Sequence, residues 1–355
     1  KPGEKYYATA IGIANTANKK FSSAFGYLNT ATGESSSAFG YNNITYGKEN
    51  SAFGYRNRTV EEGSSAFGYW NEARGDRSSA VGFINEASGS CSSAFGYNNT
   101  ASGYSSSAFG RMNKAKEESS SAFGYLNEAS GKWSNAFGSL YKVTGEASGA
   151  FGVGEVYDYV HYNHKYINEG KNSYMFGNYN KIAAGTENNF ILGNNVSIGS
   201  GINNSVGLGN GSTVSSSNEV SVGSATLKRK ITNVADGDVS ATSTDAVNGR
   251  QLYKAMQNST NIENLRSEVY EKIDNVKDEV REVGSLSAAL AGLHPMQYDP
   301  KAPAQVMAAL GHYKNKQSVA VGLSYYFNDR FMMSAGVALS GEKKTKSMAN
   351  VGFTV

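Results

Sequence analysis

Few residues in this chain could do covalent or metal chemistry. Among 355 residues there are four histidines, His161, His164, His294 and His312, and a single cysteine, Cys91. His161 and His164 stand three apart and could share a metal, but no carboxylate pair or cysteine completes a ligand set around them. No Ser/His/Asp set, Cys/His pair or phosphate loop is spaced for catalysis, so the chain reads as non-enzymatic, without cofactor or resident metal. Cys91 has no partner for an intrachain disulfide and falls in a turn column. A net charge of +3 is too weak to call for nucleic acid. Contact chemistry stands out instead. The stretch Val156–Ile167 carries Tyr157, Tyr159, His161, Tyr162, His164 and Tyr166. Tyrosine offers large contact area with few rotors to freeze. Surface decoration, receptor contact and a shared metal are all open readings of it.

The elements that position this stretch are repeats. Ala-Phe-Gly, or a close variant, ends at every fourteenth residue from Gly12 to Gly152, eleven registers without a slip. Such a unit is incomplete alone, and stacking buries its apolar face. Ser37, Phe39 and Tyr41 alternate with Ala38 and Gly40, as in a short strand with bulky groups on one face. Asn follows two residues after the Tyr (Asn29 through Asn127), then Gly, both tolerant of positive φ, so each unit has one or two built-in turns. The pattern predicts a narrow parallel β-roll with coils about 4.8 Å apart. In that reading the Phe column fills the core. The Ala/Gly column forms a flat face that another backbone approaches, and the Asn column is turn geometry. The Tyr column reads as stacked between coils, with sugar or protein contact as the alternative. The position after it holds Trp70, Ile84, Met112 and Leu126, large apolar groups that are either subunit contacts or a receptor-binding stripe.

After Gly152 the next Phe-Gly comes 25 residues later, so eleven extra residues fall in the Tyr/His stretch. From 177 to 223 the repeat continues with spacings of fourteen to sixteen and Ile, Val and Leu replacing Phe. A Ser/Thr/Asp stretch suited to capping then leads into a helix. Ile262, Leu265, Val269, Ile273, Val276, Val280 and Val283 step by three or four along it. Branched residues at both core positions favour three or four strands over two, which makes these seven the predicted core of a coiled coil of three or four chains. Four strand-like segments follow at roughly 304–314, 317–327, 330–340 and 346–355, with alternate apolar residues and terminal aromatics, as in an outer-membrane barrel. Four strands cannot close a barrel, so several chains must pool them.

Ile231-Thr-Asn-Val-Ala235, Thr244-Asp-Ala-Val-Asn248 and Gln251-Leu252 resemble the neck of trimeric autotransporter adhesins, the YadA-like surface proteins of diderm bacteria. The fourteen-residue repeat is similar to the head of that family. The resemblance implies a mainly β fibrous protein with a left-handed parallel β-roll head over 1–218, broken by an insertion at about 153–174. A neck would follow at 219–253, a coiled-coil stalk at 254–287, and an anchor at 288–355 giving four strands to a 12-strand trimeric barrel. It further implies a three-stranded coiled coil over that core and a homotrimer in the bacterial outer membrane, exported by a type V route, with its head at the cell surface. Family members bind extracellular-matrix proteins such as collagen and fibronectin, or host receptors of the CEACAM type. The runner-up readings are a passive surface rod and a repeat-built carbohydrate-active protein, which would need clustered Asp/Glu or Lys/Arg on consecutive coils.

Overall fold

The structure is a computed structural model that describes residues 7–158, 161–341 and 345–355. The chain folds as two units, Lys1–Lys230 and Ile231–Val355. The first is a parallel β-solenoid. Each coil up to Val153 has a five-residue strand such as Ser37–Tyr41, shortened to three or two residues in the later coils, and the short strands, such as Ile44–Thr45, have two residues. The long strands stack into one 15-stranded sheet and the short ones into a 14-stranded sheet. Register is in phase throughout the regular coils, Phe25 on Phe39 and Gly26 on Gly40.

The interior is the reverse of the expected one. The Ala column, Ala24 to Ala150, has no exposed surface, and neither does the second Ala column from Ala31 to Ala129. Phe25, Phe53 and Phe67 stand on the outside. The physical reason is thickness. Two turns in fourteen residues bring the sheets so close that mostly Ala, Ser and Asn fit between them, with Thr45, Thr59 and Val143 in the second Ala column, and strand parity then sends Phe outward. Its rings stack coil on coil, with centroids 4.9 Å apart for Phe39–Phe53 and 4.8 Å for Phe109–Phe123. The Gly column is approached by a backbone as expected, but it is the next coil's. A Cβ on Gly26 would lie 2.1 Å from the Gly40 carbonyl oxygen.

The Asn column is also not the turn. Asn29 to Asn127 are buried, and the positive φ falls one residue earlier, on Leu28, Trp70, Ile84, Met112 and Leu126. Each buried amide joins three coils. Asn43 Nδ2 donates to Phe39 O (2.8 Å) and to Gly54 O (2.8 Å), while its Oδ1 accepts from Asn57 N (3.0 Å). These groups have no water to turn to, so the ladder is obligatory. Positive φ costs a side-chain-bearing residue about 1–2 kcal/mol, most for a β-branched one. The later coils carry Asn172, Asn188, Asn195, Asn204 and Asn218 at such turns, which is the cheaper chemistry. Ile84→Asn is therefore expected to raise stability by about 1 kcal/mol in chemical denaturation. A drop would mean that Ile84 makes contacts that outweigh its strain.

Past 174 the long strands lie sixteen, sixteen and fourteen residues apart. The wider coils admit Met175, Ile182, Ile191, Val196 and Ile198 to the core. Arg229 closes the last coil, its guanidinium donating to Val222 O (2.7 Å) and Ser212 Oγ (3.1 Å).

In the second unit the helix Gly249–Ala291 starts on a capping box. Asn248 accepts from Gln251 N, and the Gln251 side chain accepts from Asn248 N. Asp236 braces that cap. Hydrogen bonds from Arg250 and Asn248 hold its carboxyl below the usual range. Ile262, Leu265, Val269, Ile273, Val276, Val280 and Val283 are all exposed on the single chain. Further on, Leu286, Ala289 and Leu290 pack on Ala320 and Ala338 of an antiparallel sheet. Its strands are Ala304–Tyr313, Lys316–Asn328, Phe331–Ser340 and Ser347–Thr354. Ser318, Ala320, Gly322 and Ser324 face the helix, whereas Val319, Val321, Leu323 and Tyr325 face outward. Large outside and small inside is the pattern of a lipid-facing barrel wall. The first and last strands pair on one side only, which leaves a row of unpaired backbone groups on each edge of the sheet. No helix among the described residues is long and apolar enough to cross a membrane.

Candidate binding surface

The Tyr/His stretch is a hairpin that leaves the solenoid at Gly154 and returns at Ile167. Val156 bridges His164, Tyr157 N donates to Asn163 O (2.7 Å), and Lys165 N donates to Glu155 O (2.8 Å). Next to that bridge Tyr157 is 72% exposed, and His161 pairs with Asp158. Lys165 Nζ lies 5.9 Å from the Tyr157 ring and 5.5 Å from that of Tyr166, and forms an ion pair with Glu155 (2.9 Å). Tyr166 packs against Tyr179 at the foot, with ring centroids 5.5 Å apart. Tyr159 lies outside the described residues.

The hairpin folds back over earlier coils. His161, Tyr162 and His164 line a cleft of about 190 Å³ with Met112, Lys114, Leu126 and Glu128. Leu126 is only 5% exposed there. His164 Nδ1 is 3.0 Å from Leu140 O, a contact that requires the proton on Nδ1. Burial lowers the pKa of His164, which keeps the ring neutral. Burial also opposes the charge of Glu128, but hydrogen bonds and charge from Lys116 (2.9 Å) and Lys142 (3.1 Å) outweigh it and lower that pKa. Two of the apolar stripe residues, Met112 and Leu126, thus join the hairpin. Trp70 and Ile84 do not. They remain 46% and 39% exposed, with the Arg56 guanidinium 5.5 Å from the Trp70 ring. The Tyr ladder offers edges to a partner, since Tyr41, Tyr55 and Tyr69 stack face to face at 4.9 and 4.7 Å. Sugar stacking on their faces is thereby blocked. Among the described residues no three His, Cys, Asp or Glu side chains converge as metal ligands.

Three family matches fall on this geometry. The YadA head domain repeat matches 4–29, 18–43, 31–57, 61–83 and 87–111, all within the solenoid. The coiled stalk of trimeric autotransporter adhesins matches 230–274, and the YadA-like membrane anchor domain matches 296–354, which spans the four antiparallel strands. Together they cover more than half of the chain, in the order head, stalk, anchor. The chain belongs to the YadA-like trimeric autotransporter adhesins.

Over 34 residues it is 68% identical to autotransporter adhesin BtaE of Brucella suis biovar 1 (strain 1330). That match covers 10% of this chain and 5% of BtaE. The collagen-binding domain of the Yersinia adhesin YadA is 18% identical, with 70% of this chain and 86% of that one covered, at a TM-score of 0.21. Membership rests on the family matches. With a YadA-like anchor the protein sits in the outer membrane with its head exposed, and the stalk and anchor imply a trimer. The exposed stripe from Ile262 to Val283 suits that assembly. A groove of about 650 Å³ runs along it, lined by Val269, Ile273, Val276 and Val280. Sequence reading missed one buried residue of the head, Tyr141, which takes the place of Asn in the ladder column one coil before the hairpin. The break in that column was its only signal.

Proposed function

We propose that this protein is a non-enzymatic adhesin whose head attaches the bacterium to a protein on the host surface, a CEACAM-type receptor or a matrix protein. The hairpin is its contact element. The observation that carries this reading is that eleven in-phase registers of the solenoid are followed by a self-braced hairpin that presents Tyr157 to solvent. Tyr and Trp beside Arg are the usual anchors of protein interfaces, and Trp70 with Arg56 supplies a second such group on the same stripe. The seven apolar residues from Ile262 to Val283 form the trimer core, and three chains pool twelve strands for the anchor. A trimer presents three copies of each site, and such multivalency strengthens a weak contact by about 10²–10⁴. Export follows a type V route in which the anchor serves its own head.

The test is binding of the full-length trimer to an array of host surface and matrix proteins, beside a variant with 155–166 replaced by a Gly/Ser linker. A hit that falls by at least about 100-fold in the variant supports the hairpin. A hit that persists places the site on the Trp70/Ile84 stripe. No hit from a folded trimer would leave a passive surface rod.

A further inference from the structure

From Asn15 to Asn127 every coil of the head places an Asn amide in the ladder column, the next coil places Tyr141 there, and the coil that carries the hairpin has no residue in that column. The chain leaves that coil at Gly154 and re-enters with Ile167–Asn168, so 155–166 stand where a single ladder residue belongs. Two groups of the following coil, Gly177 O and Asn180 N, are thereby left without the amide that would serve them. They are not orphaned. The hydroxyl of Tyr141, from the coil on the other side of the gap, donates to Gly177 O (2.8 Å) and accepts from Asn180 N (3.1 Å). These are the counterparts of the groups that Asn43 serves, Gly54 O and Asn57 N.

We propose that Tyr141 is a positioning residue that carries the ladder past the hairpin and makes 155–166 an exchangeable module. The chemistry of the site admits few alternatives. Each ladder Asn spans one coil spacing, whereas the step from the Tyr141 coil to Gly177 and Asn180 is two, about 9.6 Å, beyond the reach of an Asn side chain. A phenol reaches over it and brings one group that both donates and accepts, which Phe lacks. Burial pushes the Tyr141 hydroxyl up to about 12, so it keeps its proton and remains a donor. Gly154 completes the arrangement, because a Cβ there would lie 3.2 Å from the Tyr141 ring and 2.5 Å from Leu140 O. The hairpin is braced by its own backbone pairs and by His164 on Leu140, and none of these bonds belongs to the ladder. Its sequence and length are therefore free to change while the roll stays intact. The inference rests on the binding reading for its purpose alone, and its test reads the fold.

The test is amide hydrogen exchange on the full-length trimer, with Asn180 N compared with Asn57 N in an undisturbed coil. Tyr141→Phe is expected to speed exchange at Asn180 by roughly 10- to 100-fold, the effect of removing one buried hydrogen-bond partner, and to leave Asn57 unchanged. The variant with 155–166 replaced by a Gly/Ser linker is expected to keep Asn180 within about threefold of the parent, well short of that loss. Unchanged protection in Tyr141→Phe overturns the proposal, and so does a linker variant that exchanges more than about tenfold faster. If Tyr141→Phe does not assemble, the linker variant decides alone. Lost host binding in the linker variant bears on the function and leaves this proposal standing.

Discussion

Asn71→Ala will cost the head about 3–5 kcal/mol, more than any surface change in it. Its Oδ1 accepts from Asn85 N and Asn85 Nδ2, both at 3.0 Å. Its Nδ2 donates to Phe67 O (2.9 Å), Gly82 O (2.7 Å) and Asn57 Oδ1 (3.0 Å). Alanine removes all five and leaves polar groups facing one another across a space lined by Ala side chains. Each stranded donor or acceptor costs about 1–3 kcal/mol, partly recovered as neighbours shift. A solenoid passes stress only to adjacent coils, so the loss opens the roll locally around 57–85. The check is chemical denaturation of the purified trimer beside Asn98→Ala, an exposed Asn at the turn. If the two variants unfold at the same denaturant concentration, the ladder is not what supports the interior.

Gly311→Ala is expected to detach the helix from the anchor wall and lower the amount of heat-resistant trimer in the outer membrane about tenfold, equivalent to about 1.4 kcal/mol within the 1–3 kcal/mol range for overpacking. A Cβ at 311 would lie 2.1 Å from Ser285 O and 2.3 Å from Ala289 N, both helix backbone that cannot rotate away. The helix would have to shift, breaking the buried Ser285–Ser318 hydrogen bond (2.7 Å) and the packing of Leu286 and Ala289 on Ala320. Gly352→Ala is the control, since its Cβ would meet only the Ser334 hydroxyl at 3.4 Å. Equal trimer yields from the two variants would show that the helix has room to move.

Much of the architecture was legible because a solenoid writes its geometry as a period. Fourteen residues from Gly12 to Gly152 announced the coil, and an even number kept the same faces in and out. The capping residues before 249 and the apolar alternation after 304 located the helix and the anchor strands within a few residues. The eleven extra residues after Gly152 marked the hairpin for the same reason, since any departure from a strict period must leave the stack.

What alternation along a strand cannot say is which of its two faces is inside. Habit places Phe39 within and Ala38 at the surface, and the roll does the opposite because its two sheets are too close to hold a ring. Asn43 misled in a related way. Its type suits a left-handed turn, yet only the stacked neighbour's Gly54 carbonyl reveals that the amide is needed inside, which pushes the strained φ onto residues such as Ile84. Tyr141 and the meeting of Leu126 with Tyr162 depend on contacts across 36 residues in each case, and no local pattern encodes that reach. Spacing along the chain determined the coils, the helix and the strands. Thickness, stacking and the return of the hairpin, all of them distances between coils, decided what is core, what is surface and which side chains meet.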